Sequence, residues 1–309
     1  MTTGWVFDCK RFSIHDGQGL RSTLFLKGCP LRCPWCHNPE GMVSGQRLIH
    51  TAARCIGCGT CLSACPESAL SAADSGRDVR IDAARCTGCG RCRDACPTGA
   101  MAFDAREMSS EQAITELLRD QTFFDVSSGG VTLSGGEPLL QPEFTVEVLE
   151  GCRRSGAGTA IETCLAAPLS HVEAMARVTD EVFVDVKLAD ERQHRELLGW
   201  SLEPILRNLQ YLIRVRANVV VRIPLIPEFT ATESNLQGIG RIVAGLERQP
   251  PVELLNFNPF AEAKYRRLGR RWAFPEGSRR YSQQELAAFR QVLKSAGVKK
   301  VFDEQEQPG

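Results

Sequence analysis

Cys29, Cys33 and Cys36 fall in the run Gly28-Cys29-Pro-Leu-Arg-Cys33-Pro-Trp-Cys36-His37-Asn38, a C-x3-C-x2-C spacing with no fourth cysteine nearby. Three thiolates this close together can hold three irons of a cubane [4Fe–4S] cluster and leave the fourth iron open. An open iron can bind and react with a small molecule, whereas a cluster ligated by four cysteines usually only passes electrons. The run follows the apolar stretch 22–27 (STLFLK), so this chemistry is expected at the end of a strand.

Eight more cysteines form a repeat. Cys55-Ile-Gly-Cys58-Gly-Thr-Cys61-Leu-Ser-Ala-Cys65-Pro66 recurs as Cys86-Thr-Gly-Cys89-Gly-Arg-Cys92-Arg-Asp-Ala-Cys96-Pro97. Each copy resembles the C-x2-C-x2-C-x3-C-P run of bacterial two-cluster ferredoxins, in which the fourth cysteine serves the other cluster. The resemblance implies one [4Fe–4S] centre on Cys55, Cys58, Cys61 and Cys96, and another on Cys86, Cys89, Cys92 and Cys65. Structural zinc also uses C-x2-C pairs, but two complete runs with their prolines fit it poorly. Disulfides are not expected in a chain of this size with such tight cysteine runs and no secretory signal. Of the fourteen cysteines, Cys9, Cys152 and Cys164 stand outside these patterns and read as small, inert core residues.

The 309 residues carry 37 basic and 37 acidic side chains. This balance argues against a nucleic-acid binder or a partner of anionic membranes. The N-terminal MTTGWVFDCK has no apolar signal core and no stretch is long enough to span a bilayer, so a soluble cytoplasmic protein is expected. Strand patterns fall at 21–28, 130–134, 158–163, 181–187, 218–224 and 252–257. Amphipathic stretches separate them. Ser109-Ser-Glu-Gln112 and Ser282-Gln-Gln-Glu285 read as capping boxes that open helices, and Pro142 and Pro168 suit first helical turns. Six strand–helix units predict an α/β fold, a partial (β/α)6 barrel built from 1–50 and 105–309. The ferredoxin-like segment 51–104 is inserted into its first unit.

In such barrels chemistry gathers at the carboxyl ends of the strands. There the sequence places the three-cysteine run, Ser134-Gly135-Gly136-Glu137-Pro138, Glu162-Thr163, Asp185-Val186-Lys187, Arg222 and Asn256-Phe-Asn258. One polar strand end means little, but such residues at every strand end make a site. Asp185 and Lys187 alternate and so share a face. Two charges on one face of a buried strand are costly unless they serve a purpose. For Arg222 a structural ion pair is the competing reading.

The cysteine run followed by Gly135-Gly136-Glu137-Pro138 resembles the radical S-adenosylmethionine superfamily. The string from Asp16-Gly17-Gln-Gly19-Leu-Arg21 through Cys36-His37-Asn38 resembles the signature of glycyl-radical enzyme activating enzymes. The likeness extends through Asp185-Val186-Lys187, Val221-Arg222-Ile-Pro-Leu-Ile-Pro227 and Lys264-Tyr265, so it spans nearly the whole chain. The two-cluster insert resembles the activases of the glycerol dehydratase, hydroxyphenylacetate decarboxylase and choline lyase type. The resemblance implies that the open iron chelates the amino and carboxylate groups of S-adenosylmethionine. Reductive cleavage then gives a 5′-deoxyadenosyl radical that takes hydrogen from a backbone glycine of a partner enzyme.

Carried onto this chain, the resemblance makes Cys29, Cys33, Cys36 and Lys187 the catalytic set. Gly135 and Gly136 admit the methionine backbone, and Glu137 accepts from its ammonium. Trp35 and His37 lie over the adenine. Asp185, Val186 and Lys187 sit near the carboxylate and ribose, and Arg222 balances the carboxylate. Asp185 with Glu162-Thr163 suits a monovalent cation. Flavodoxin or ferredoxin is the expected electron donor to three [4Fe–4S] clusters. Two positions depart from the family pattern: Asn258 stands where relatives carry histidine, and Leu165 where a glycine is expected. The rival readings are a radical S-adenosylmethionine enzyme acting on a small molecule or another peptide, and an electron-transfer ferredoxin fused to an inert barrel.

Overall fold

The structure, a computed structural model, describes residues 1–73, 77–275 and 278–303. Its strands, in chain order, are β1 (Thr3–Ser13), β2 (Arg21–Leu26), β3 (Leu48–His50), β4 (Leu70–Ala72), β5 (Val79–Ile81), β6 (Met101–Phe103) and β7 (Arg106–Ser109). Then follow β8 (Gly130–Gly135), β9 (Gly158–Thr163), β10 (Glu181–Asp185), β11 (Val219–Pro224), β12 (Val252–Leu255) and β13 (Val301–Asp303). Nine of them form one sheet in the order β13-β12-β11-β10-β9-β8-β2-β1-β7. From β2 through β8 to β13 all neighbours are parallel, while β1 runs antiparallel to both β2 and β7.

The six expected strands are β2 and β8 to β12. They are legible because a parallel strand covered on both faces reads as a continuous apolar run. All six residues of β2 are buried, as are five of the six in β8. The sheet is wider than expected by β1, β7 and the short seventh parallel strand β13. β1 is half exposed along much of its length and carries Asp8, Lys10 and Arg11, which break the apolar pattern.

The helices between the strands start where their caps indicate. Ser109 and Ser282 each accept from a backbone N–H three residues on, and Gln112 and Glu285 reciprocate. These boxes satisfy two otherwise orphaned donors apiece. Pro142 opens the helix Pro142–Arg154, whereas Pro168 stands one residue before Leu169–Ala176, at its N-cap.

Between β2 and β7 the chain builds two small ribbons, β3 with β6 and β4 with β5. The sequence repeat is repeated in conformation. Gly59 (φ +72°) and Gly90 (φ +79°) each turn left-handed before a single helical turn, Thr60–Ser63 and Arg91–Asp94. Only glycine takes this geometry without strain. Cys61, Leu70, Cys92 and Met101 form an apolar cluster separate from the main core.

Candidate functional site

A cavity of about 330 Å³ opens at the carboxyl ends of the parallel strands, a volume within the range of ligand sites. Cys29, Cys33, Trp35, Cys36, His37, Gly135, Gly136, Asp185, Lys187, Arg222 and Asn258 all line it. The sequence therefore indicated most of its wall. Glu137 and Val186 do not line it.

The cysteine loop is held from several sides. Gly28 turns left-handed (φ +93°) as the chain leaves β2. Its N–H donates to Gly41 O (2.7 Å) and its carbonyl accepts from Glu137 N–H (2.6 Å). A Cβ on Gly136 would sit 2.2 Å from Gly28 O and 2.5 Å from Gly41 O. Gly136 is thus required by the approach of two backbones, whatever it also does for a ligand. Lys264 Nζ donates to His37 O (2.9 Å) and Asn38 Oδ1 (3.1 Å), and Tyr265 Oη to Pro34 O (3.2 Å). The Lys264-Tyr265 pair quoted for the family resemblance is, in this chain, a buttress of the loop.

Burial pushes the Cys33 thiol up and the Cys36 thiol up to about 11. Bare thiolates are therefore disfavoured here, and a cationic partner that takes them as ligands would offset that cost. Cys164 was expected to be inert core. It is buried, yet it lines the cavity. Its thiol donates to Glu137 Oε2 (2.9 Å) and lies beside the Cys29 sulfur. That contact draws Cys29 below the ordinary thiol range, with burial acting the other way.

Glu137 is fully buried. Its oxygens accept from Leu139 N–H (3.0 Å), Thr163 Oγ1 (2.8 and 2.9 Å), Cys164 N–H (2.7 Å) and Cys164 Sγ. These bonds tie the end of β8 to the end of β9, and they use the carboxylate that was expected to take an ammonium. Leu165 takes the left-handed conformation (φ +55°) that a glycine would adopt freely. The loop shape survives the departure because Leu165 N–H donates to Thr163 Oγ1 (2.9 Å) and its carbonyl accepts from Asn208 Nδ2 (3.0 Å). Val186 is buried and reaches its neighbours through the backbone, donating to Arg222 O (2.9 Å).

Charges on the cavity wall are paired. Lys187 Nζ donates to Asp185 Oδ2 (2.5 Å). Burial lowers the lysine, but its ion pair with Asp185 outweighs it and holds Lys187 above the ordinary value. Arg222 donates to Glu253 Oε2 (2.7 Å), to His15 O (2.9 Å) and to Glu162, and stacks on Phe183 with 3.7 Å to the ring centroid. Its structural role is plain, and the pairing expected with a ligand carboxylate is not what these contacts provide. Glu162 also accepts from Ser134 Oγ. Both carboxylates proposed for a monovalent cation are thus already neutralised by protein cations. Glu253 is not marked in the sequence as a partner of Arg222, since nothing local reveals a cross-strand ion pair.

Two polar groups on the wall bear on a ligand. Trp35 packs against Phe229 at 5.0 Å, and its buried indole N–H has no acceptor in the structure. Asn258 Oδ1 accepts from Phe260 N–H (3.0 Å). The residues present fit S-adenosylmethionine: sulfur ligands, an unpartnered donor on an aromatic ring and mixed apolar and charged walls.

The eight cysteines of the repeat converge in two further cavities. One, about 70 Å³, is lined by Cys55, Cys58, Cys61 and Cys96. The other, about 10 Å³, is lined by Cys65, Cys86, Cys89 and Cys92. This is the crossed grouping that the likeness to two-cluster ferredoxins implies, and each donor set has the four thiols a cubane cluster takes. No described helix is long and apolar enough to cross a membrane.

Comparison with known proteins agrees with this architecture. Residues 54–100 match the sequence model of a 4Fe-4S dicluster domain, and residues 83–234 that of the radical SAM superfamily. The benzylsuccinate synthase activating enzyme of Thauera aromatica is 40% identical over 307 residues, covering 95% of this chain and 90% of its own. The pyruvate formate-lyase 2-activating enzyme of Escherichia coli (strain K12) is 35% identical over 296 residues, covering 95% and 90%. The choline trimethylamine-lyase activating enzyme of Oleidesulfovibrio alaskensis is 36% identical over 286 residues, covering 91% and 92%. With this identity along nearly its whole length, the chain belongs to the glycyl-radical enzyme activating enzymes of the radical SAM superfamily.

Proposed function

We propose that this activating enzyme works through three [4Fe–4S] clusters: one on Cys29, Cys33 and Cys36 for S-adenosylmethionine, and two in the inserted segment that relay electrons to it. The observation that carries the reading is the contrast in room. The three-cysteine loop borders a cavity of about 330 Å³, while the four-cysteine sets enclose about 70 and 10 Å³. When bound, the cluster with its open iron and S-adenosylmethionine supply the 5′-deoxyadenosyl radical that takes a hydrogen atom from a backbone glycine of the partner enzyme.

The chain's own residues orient and enclose. Trp35 offers its free indole N–H and ring face to the adenosine part, with His37 beside it. Lys187, Asp185 and Asn258 bound the polar part of the ligand, and Gly135 and Gly136, which pack against β2 and the cysteine loop, present their backbone to it. Glu137 acts indirectly, by fixing the β8 and β9 ends. Arg222, held by Glu162 and Glu253, shapes the floor.

We read the parallel strands as a partial barrel around this cavity, supported by wall residues contributed from the ends of β8, β9, β10, β11 and β12. The inserted unit is best bounded at 48–103, because β3 pairs with β6 from Leu48 to Phe103. It thus begins three residues before the boundary at 51 that the cysteine repeat indicates. A low-potential flavodoxin or ferredoxin is the proposed donor and the cytoplasm the proposed compartment.

Anaerobic reconstitution tests the reading. About twelve irons per chain with 5′-deoxyadenosine release is expected, whereas about eight irons and no cleavage would favour a ferredoxin fused to an inert barrel. Mixing with a candidate glycyl-radical enzyme and a competent reductant should give an electron paramagnetic resonance doublet. Its absence would refute that pairing.

A further inference from the structure

We propose that the buried Lys27–Asp104 pair is the joint that holds the inserted segment at electron-transfer distance from the three-cysteine loop, with the set Cys65, Cys86, Cys89 and Cys92 on the near side. The proposal rests on the electron relay proposed above.

Lys27 Nζ and Asp104 Oδ2 lie 2.7 Å apart, with side chains 0% and 1% exposed. Lys27 is the last residue before Gly28-Cys29. Its N–H donates to Trp5 O (2.9 Å) and its carbonyl accepts from Gln141 Nε2 (2.9 Å). Asp104 immediately follows β6. Its Oδ1 accepts from Arg47 N–H (2.7 Å), its own N–H donates to Arg47 O (2.9 Å), and Arg47 Nε stands 3.5 Å from Oδ2. One carboxylate therefore gathers both ends of the inserted segment and the strand that leads into Cys29.

Such a pair is a poor device for stability alone, since apolar side chains of similar volume often serve as well or better. What it supplies is a single arrangement. Any slip of the segment would leave a buried ammonium or carboxylate without its partner, which is costly.

The same ribbon gives the order of the two cysteine sets. Leu48 and Phe103, next to Arg47 and Asp104, line the cavity of Cys65, Cys86, Cys89 and Cys92. His50 and Met101 line the cavity of Cys55, Cys58, Cys61 and Cys96. They lie two residues, about 7 Å of strand, farther from the joint. An electron from flavodoxin hydroquinone, which becomes the semiquinone, would enter at the far set, cross to the near one and reach the loop. Each of the two accessory sites is reduced and then reoxidised, and the loop cluster is left reduced by the one electron that flavodoxin gave up.

Asp104→Ala alone would strand Lys27, so the pair is replaced together as Lys27→Met with Asp104→Asn, which keeps the acceptor for Arg47 N–H. Lys27→Gln with Asp104→Asn is the companion variant should the first fail to take up iron. Dithionite-driven S-adenosylmethionine cleavage and iron content are expected to match the parent. Reduction of the loop cluster by reduced flavodoxin should slow severalfold, because electron tunnelling falls off exponentially with the separation of donor and acceptor. Electron paramagnetic resonance of the fully reduced chain should show weakened spin coupling between the loop cluster and the near one.

Cys89→Ala is measured beside them. If it slows flavodoxin-driven reduction while the pair variants keep the parent rate and coupling, the joint is overturned and the relay stands. If Cys89→Ala itself leaves that rate unchanged, the relay falls and this proposal with it. Equal losses with both reductants would also overturn the joint, because a general structural defect does not discriminate between donors.

Discussion

The two cysteine-rich regions use the same ligand in opposite ways. In the inserted segment the ligand sets are nearly self-contained. Short runs, left-handed glycines and single helical turns bring four thiols around each small cavity, and Cys58 and Cys89 remain exposed. The Cys29 loop needs help from distant chain: Gly136, Lys264 and Tyr265 all brace it. Its thiols are buried or half-buried and face open volume. Four ligands around a small cavity suit an electron carrier, whereas three ligands beside a larger one suit a catalyst. The difference between wire and catalyst lies less in the cysteines than in what the fold leaves empty next to them.

The comparison breaks most sharply at the loop. Cys36→Ala should drop S-adenosylmethionine cleavage to background, a loss of about 10⁴-fold or more. Iron should fall from about twelve to about eight per chain while the inserted segment keeps its own. Cleavage persisting in a variant verified to lack the loop cluster would end the assignment. Cys58→Ala with Cys89→Ala should do the reverse. Dithionite-driven cleavage stays, and flavodoxin-driven turnover drops about tenfold or more if the segment is the relay. Unchanged turnover in variants shown to lack both accessory clusters would remove the relay.

A smaller effect tests how the catalytic region is braced. Glu137→Ala leaves Thr163 and Cys164 donors buried without their acceptor, a cost of about 2–4 kcal/mol. In a chain of this size that is roughly a 3–6 °C fall in the unfolding midpoint. Glu137→Gln, which keeps one acceptor oxygen, should lose less. If Glu137 instead holds the ammonium of S-adenosylmethionine, ligand affinity will fall in the glutamine variant while the midpoint barely moves. Isothermal titration beside calorimetry separates the two.

What the sequence made legible follows the same division. Ligand spacing is local, so both ferredoxin-like runs were plain from Cys55 to Cys96, their likeness to two-cluster ferredoxins implied the crossed grouping, and the apolar runs of β2 and β8 to β12 disclosed the parallel sheet. Strand ends then pointed to most of the cavity wall. The brace was not legible. Glu253 with Arg222, Lys27 with Asp104, and Glu137 with Cys164 pair residues far apart in the chain, and no periodicity marks such partners. β1 was hidden by its charges, because a half-exposed antiparallel strand has no need of an apolar run. Cys164 was the nearest miss. It directly follows Glu162-Thr163, and its place at a strand end was a usable signal that its apolar character masked.

The finest distinction between the two regions is chemical and needs no metal. In the apo chain, Cys96 is only slightly buried, and hydrogen bonds from Met101 and Thr98 outweigh that burial to draw its thiol down to about 7. Burial pushes Cys36 up to about 11. Only the thiolate is nucleophilic, so alkylation follows the deprotonated fraction and access together. Cys96 labelling by iodoacetamide should rise through pH 7 and level off above about pH 8, since little thiol then remains to ionise. Cys36 should stay largely unlabelled at that pH and react only as pH climbs toward 11. Mass-spectrometric mapping of a pH series on the metal-free chain reads both curves at once. Coincident curves would mean that Cys36 is as open as Cys96, and that its enclosure forms only when the cluster is built.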